Sequence, residues 1–247
     1  MNEPETTQAS ALKELTEDPS SRKRFLKAVG GGGAAAALGI LIAACGGDDE
    51  EGSSSSGSTS TSSTTTTDAK EPSDSDMKGD IEIVNYALTL EYLEAQFYAD
   101  VIASGVITDK AIGAVAQQFG ETEQQHVDAL IATVKQLGGT PAKKPKASFQ
   151  SVIDGGPQMV LETAATVENL GAAAYLNEAG RIKSKEILAA ALSIHSVEAR
   201  HAAALNAVIG AGFQGSGPLN GSVPDGAFAK PMDMDAVLKA VKPFLTA

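Results

Sequence analysis

The sequence predicts an all-α protein: a four-helix bundle with one long crossover between its second and third helices, plus a short C-terminal helix. Three observations predict it. Apolar residues recur at helical spacing in four stretches. Short Gly-containing joints link the first stretch to the second and the third to the fourth, whereas the middle joint is long. The chain is Ala-rich, has no Trp and only 4% aromatic residues, a composition that suits close-packed helices better than a sheet.

In the first helix, from Asp80 to Ser104, the spacing of Ile81, Val84, Leu88, Ala95, Tyr98 and Ile102 makes one apolar stripe, and Gly105 closes it. The second runs from about Asp109 to Leu137, capped by Thr108 or Asp109 and stopped by Gly138-Gly139. Pro157 suits a first turn and opens the third, which ends at Ala179 before Gly180. The fourth spans Ser184 to Ile209. Short loops make antiparallel hairpins. The joint through Gly138, Pro141, Lys143, Lys144, Pro145 and Gly155 is long enough to run the length of a bundle, because an extended chain covers about 3.3–3.6 Å per residue against about 1.5 Å in a helix. Beyond Gly210 a Gly- and Pro-rich extension (213–247) carries a short helix at Met234–Phe244, whose Val237, Leu238, Val241 and Phe244 are expected to cover one end of the bundle.

Polar residues interrupt the apolar stripes at matched places. Glu91 lies among Leu88, Ala95 and Tyr98; Glu123 and His126 lie on the line of Phe119 and Leu130. Glu168 sits between Ala164 and Tyr175, and Glu198 and His201 continue the line of Ala191, Ile194 and Leu205. Six ionisable residues thus face the core from four helices. Unpartnered buried carboxylates are costly, and four converging ones repel. Two divalent cations remove the conflict, and the Glu-x-x-His spacing puts both ligands on one helical face, one turn apart. A Glu from each of two helices and a Glu-x-x-His from each of the other two is the pattern of a paired-metal bundle.

The two halves also repeat. Glu91-Tyr92-Leu93…Tyr98 aligns with Glu168-Asn169-Leu170…Tyr175, and Glu123-x-x-His126…Leu130 with Glu198-x-x-His201…Leu205. Over residues 80–212 this pattern resembles the ferritin-like superfamily, and within it the secreted bacterial ferritin-like domain proteins of the desiccation-related type. The resemblance implies two iron ions, with manganese the alternative. Glu123 and Glu198 would bridge them, Glu91 and Glu168 would be terminal ligands, and His126 and His201 would each bind one metal. Tyr98 and Tyr175 are candidates for holding the ligands or passing electrons, with plain packing as the alternative. Glu94 lies about 60° around the helix from Glu91, and its repeat partner is Gly171; symmetry disfavours it as a metal ligand and favours a bundle-edge or surface role. His195, one turn before Glu198, reads as a satisfied, partly buried histidine, with a metal ligand as the alternative, and Glu162, Glu178 and Glu186 read as solvated charges.

The N-terminal region carries a different message. Ser21-Arg22-Lys23-Arg24-Phe25-Leu26-Lys27 precedes a small-residue apolar run, Ala28 to Ala44, that ends Ile42-Ala43-Ala44-Cys45. A basic start, a short apolar stretch and small residues before a cut site describe a secretory signal. It resembles a twin-arginine signal with Lys23 in the place of the second arginine; general secretion is the other route. The end resembles a bacterial lipobox, so residues 1–45 are expected to be a signal segment that leaves Cys45 lipidated. A retained membrane span is the alternative. Residues 46–79, rich in Ser and Thr, have almost nothing to bury and are expected to be a disordered tether.

These readings together lead to an exported protein, lipid-anchored to the outer face of the cell membrane, with an oxidative di-iron site that turns Fe(II) over with dioxygen or peroxide. A non-enzymatic envelope or desiccation-stress protein and manganese catalase-like peroxide removal are the alternatives. Metal ions and the membrane are the expected partners, and a homodimer is allowed. The formal net charge of -12 argues against nucleic acid, which needs clustered Lys and Arg.

Overall fold

The computed structural model describes residues 73–246. The signal segment, Cys45 and most of the tether lie outside them. Four long helices form the bundle: α1 Asp74–Ser104, α2 Lys110–Gln136, α4 Gly156–Ala179 and α5 Lys185–Val208. A five-residue helix, α3 Gln150–Asp154, sits in the crossover, and α6 Met234–Val241 follows the bundle. No β-strand occurs among the described residues. None of their helices is long and apolar enough to cross a membrane.

The caps explain most of the boundaries. Asp109 accepts from the backbone N–H groups of Ala111 and Ile112 at 2.8 and 3.0 Å and starts α2. Ser184 accepts from Ile187 N–H and starts α5. α1 starts six residues before the Asp80 that hydrophobic spacing indicates. Ser73 and Asp76 form a reciprocal capping box there. The added turns are mostly solvent-facing, so apolar periodicity could not reveal them. Gly105, at φ 65°, ends α1 in the left-handed conformation.

α1 packs antiparallel on α2, α4 on α5, and the hairpins meet along α1 and α4. Near the start of α1 the buried Asp80 accepts from the backbone N–H groups of Lys183 and Ser184, at 2.9 and 2.8 Å, and so ties that helix to the α4–α5 turn. The crossover runs between the hairpins, as its length predicts. One apolar layer is built on Leu88, Val127, Leu130, Val134 and Ile194. A second is built on Phe97, Tyr98, Phe119, Phe149 and Leu205. The polar interruptions of all four stripes fall between these layers.

The C-terminal extension differs from expectation in where it docks. α6 covers the flank of α1 and α4, where Val237 and Val241 pack on Tyr86, Leu90, Leu93, Leu170 and Ala174. Leu238 points outward, 38% exposed. The segment is held by pairing with the crossover: Ser148 N–H donates to Phe244 O, and Thr246 N–H to Lys146 O, each at 2.9 Å. Farther back, Met232 N–H donates to Ala173 O. The flank is apolar because α1 and α4 carry buried residues almost all round in their central turns, so two faces need cover.

Candidate metal centre

All six residues picked out by the stripes converge in one buried place. Glu91, Glu123, Glu168 and Glu198 have no exposed surface, and His126 and His201 are buried. They form two overlapping groups, each with one ligand atom per residue and all those atoms within 4.8 Å of one another: Glu91, Glu123, His126 and Glu198 in one, Glu123, Glu168, Glu198 and His201 in the other. Glu123 and Glu198 belong to both.

His126 Nδ1 lies 2.8 Å from Glu123 Oε2, 3.2 Å from Glu91 Oε2 and 3.3 Å from Glu198 Oε1. His201 Nδ1 lies 2.8 Å from Glu123 Oε1 and 3.2 Å from Glu168 Oε2. Phe119 stacks on the His201 ring, with centroids 3.7 Å apart, and fixes its plane. The sequence builds this locally: the i, i+3 step puts each imidazole on the same helical face as its own helix's carboxylate, and on α2 the two are in direct contact, His126 with Glu123.

The two tyrosines close the arrangement crosswise. Tyr98 O–H donates to Glu168 Oε1 at 2.5 Å, and Tyr175 O–H donates to Glu91 Oε1 at 2.6 Å. Each repeat's tyrosine therefore orients the other repeat's glutamate. Burial, with the neighbouring carboxylates Glu168 and Glu91 respectively, pushes both phenols well above their usual range, so both stay protonated donors. Close approach of α1 and α2 is needed to set Tyr98: a Cβ on Gly120 would lie 2.9 Å from Tyr98 Cβ.

The charge balance is unfinished. Burial raises Glu198 far above the usual carboxylate range, and the charges of Glu123, Glu91 and Glu168 add to it. Burial also raises Glu91 and Glu168, against the pull of His126 and His201. Glu123 goes the other way: burial pushes it up, but the hydrogen bond with His126 and the close charges of His126 and His201 outweigh that and hold it at about 2. Burial pushes both imidazoles down, yet the carboxylates around them win: His126 is raised strongly and His201 to about 10. Even so, both oxygens of Glu198 and Oε1 of Glu123 are buried without a hydrogen-bond partner. Glu123 Oε1 is near His201 Nδ1 but off the line of the ring N–H. Orphaned carboxylate oxygens shared by two ligand groups are what a cation pair would satisfy, and a set of carboxylates with two imidazoles suits iron or manganese. The residues fit a two-metal centre.

Residues 79–211 match the ferritin-like domain family. The chain belongs to that family. No curated protein matches it. The ferritin-like domain thus covers the four bundle helices and all six converging residues.

Two expectations about neighbouring residues are corrected. Glu94 is buried, 4% exposed, because α6 and the crossover close the flank that repeat symmetry left open. The signal in the sequence was a Glu-x-x-Glu step from Glu91, and Gly171 in the other half obscured it. Glu178 is also buried rather than solvated, paired with Arg181 at 2.7 Å. By contrast His195 is partly buried and donates from Nδ1 to Ala172 O at 3.0 Å, outside both groups. Glu162 and Glu186 are exposed.

The crossed tyrosines give a test within the ferritin-like domain. Tyr98→Phe frees Glu168, and Tyr175→Phe frees Glu91. Partners that orient a metal ligand are worth about 10–100-fold in metal affinity. Each variant should lose that much for one of two metals, so a two-site titration will show one weakened and one nearly unchanged step. Equal weakening of both steps, or of neither, would count against the crossed assignment.

Proposed function

We propose that this chain is an exported, lipid-anchored ferritin-like protein whose bundle holds two metal ions, iron in the working state, and oxidises Fe(II) with dioxygen or peroxide. The observation that carries the reading is the pair of overlapping ligand groups whose two shared carboxylates keep buried oxygens that accept no hydrogen bond.

In this reading Glu123 and Glu198, common to both groups, would serve both metals; Glu91 and His126 would complete the set for one, and Glu168 and His201 for the other. Tyr98 and Tyr175 keep the terminal carboxylates aimed. Iron held there would supply the electrons that reduce the oxidant. The chain's residues supply the shape, the charge and a dry setting between two apolar layers. An apolar cavity lined by Ile83, Ala87, Leu130, Ile187 and Ala191 borders Tyr175, and a small apolar oxidant would partition there. Support for the anchor comes from the sequence of residues 21–45 alone. More than one acyl chain on Cys45 would hold the protein firmly.

The deciding experiment is metal analysis of protein purified without chelators, followed by aerobic Fe(II) titration watched in the near-ultraviolet ferric band. Two irons per chain with fast oxidation support the proposal. Bound metal without turnover favours an envelope or desiccation-stress role with a structural site. Manganese with rapid dioxygen release from peroxide favours the catalase-like reading. Cys45→Ala tests the anchor separately: the protein should move from the membrane fraction to the soluble fraction, and unchanged fractionation would reject lipidation.

A pH effect follows from the electrostatics. His126, His201, Glu91, Glu168 and Glu198 all hold protons more tightly than usual in the metal-free protein. A ligand must lose its proton to bind metal. Metal uptake at neutral pH should therefore release protons, and affinity should keep rising with pH through the region, about 10, where His201 gives up its proton unaided, because His126 holds its proton more tightly still. A pH-indicator assay during zinc addition reads this directly; uptake without proton release would contradict the charge distribution.

A further inference from the structure

We propose that a cleft outside the metal centre binds a small organic cation, a primary ammonium on a short apolar body. The cleft holds about 480 Å³ and lies between α4, the end of α5 and the C-terminal extension. Small-molecule sites are clefts of about 300–1,000 Å³. The inference does not depend on what the six converging residues hold.

Its floor marks a difference between the two repeats. Asn169 and Asn206, 2% and 1% exposed, stand on facing helices. Their counterparts in the first half are Tyr92 and Ile131, which pack on an apolar layer. The two amides bond each other: Asn169 Nδ2 donates to Asn206 Oδ1 at 2.8 Å, and Asn206 Nδ2 to Asn169 Oδ1 at 3.3 Å. They also seat the extension. Ser222 Oγ donates to Asn169 Oδ1 at 2.6 Å, and Asn206 Nδ2 donates to Phe213 O at 2.8 Å. The approach is close, since a Cβ on Gly215 would lie 3.1 Å from the Asn206 amide. The wall that the extension adds is therefore fixed.

The donors around this cleft are spent. The other N–H of Asn169 goes to Ala165 O at 2.7 Å, and the Thr166 hydroxyl donates to Glu162 O at 2.8 Å. Both side-chain N–H groups of Asn206 are used in the bonds above. In the turn after α5 the N–H groups of Ile209, Gly210 and Ala211 donate to Leu205 O, Ala207 O and Asn206 O.

Acceptors remain. Asn206 Oδ1 receives one amide hydrogen and has a second lone pair. Thr166 Oγ1 has given its hydrogen away and can only accept. Glu162 brings a carboxylate to the exposed rim. The end of α5, the negative pole of that helix, forms one side. Ser216 can act either way, and no Lys or Arg is among the lining residues. A ligand here must bring donors and positive charge. Ala165, Ile209 and Leu219 make up the apolar part of the wall. A bare metal ion would leave that surface wet, whereas a short hydrocarbon body covers it.

The test is heteronuclear NMR of the full chain titrated with n-butylammonium. Two comparison molecules each lack one feature: n-butanol has a donor without charge, and tetramethylammonium has charge without a donor. n-Butylammonium should shift the side-chain amide signals of Asn169 and Asn206 and saturate at one molecule per chain. Glu162→Gln, at the exposed rim, should weaken it about tenfold at low salt, because a charge-assisted bond is lost. Both comparison molecules should bind at least tenfold more weakly than n-butylammonium. Equal binding of n-butanol would mark a plain apolar cleft, and equal binding of tetramethylammonium a site for charge alone; either overturns the inference. So would binding that Glu162→Gln leaves unchanged, or two amide signals that n-butylammonium does not move.

Discussion

Glu123→Ala will abolish binding of both metals, not one. Glu123 is common to both ligand groups, and its two oxygens lie 2.8 Å from His126 and His201 respectively. A residue that merely orients a ligand is worth about 10–100-fold, so loss of a shared ligand should exceed about 100-fold for each metal. Removing this carboxylate also strips both imidazoles of a close counter-charge; breaking a buried ion pair costs about 3–5 kcal/mol. Glu123→Gln keeps the shape and separates the two effects. Metal analysis after gel filtration, with helicity followed by circular dichroism, reads both. A folded Glu123→Ala protein that retains two metals would remove Glu123 from the site. Glu186→Ala, on the exposed first turn of α5, should change nothing.

Metal loading will raise the melting temperature by about 10–20 °C. Each site filled at a hundred times its dissociation constant adds about 2.7 kcal/mol, and each kcal/mol is worth about 2–4 °C in a domain of this size. The reason is specific to this core. Four glutamates without exposed surface sit between two apolar layers, and in the metal-free protein only protons, two imidazoles and the two tyrosine hydroxyls relieve them. Calorimetry of metal-free protein against zinc-loaded protein tests this apart from redox chemistry. A shift under a few degrees at saturation would mean that the core does not need its cations.

Much of this was legible from the chain. Helical periodicity located α2, α4 and α5 to within a residue or two, because apolar stripes and capping residues are local signals. The same periodicity marked Glu91, Glu123, His126, Glu168, Glu198 and His201, since a charged residue on a buried stripe is visible without knowing what lies opposite. The start of α1 escaped because its first turns face solvent and follow their cap rather than a core. Glu94 escaped for another reason: its burial on the bundle flank depends on α6 and the crossover, and their docking site is written in no local spacing. Glu178 is covered instead where the start of α1 meets the α4–α5 turn, beside Ile83, Tyr86 and Ile182, a contact between helices that local spacing does not carry either.

The sequence by itself determined which residues turn inward, how many helices carry them and that the two halves repeat, because a 3.6-residue period fixes a face from neighbours within one helix. Only the tertiary structure decided that Tyr98 serves Glu168 and Tyr175 serves Glu91, and that α6 seals the flank. Those are contacts between helices far apart in sequence. They depend on how closely backbones approach, which the pattern within one helix does not encode.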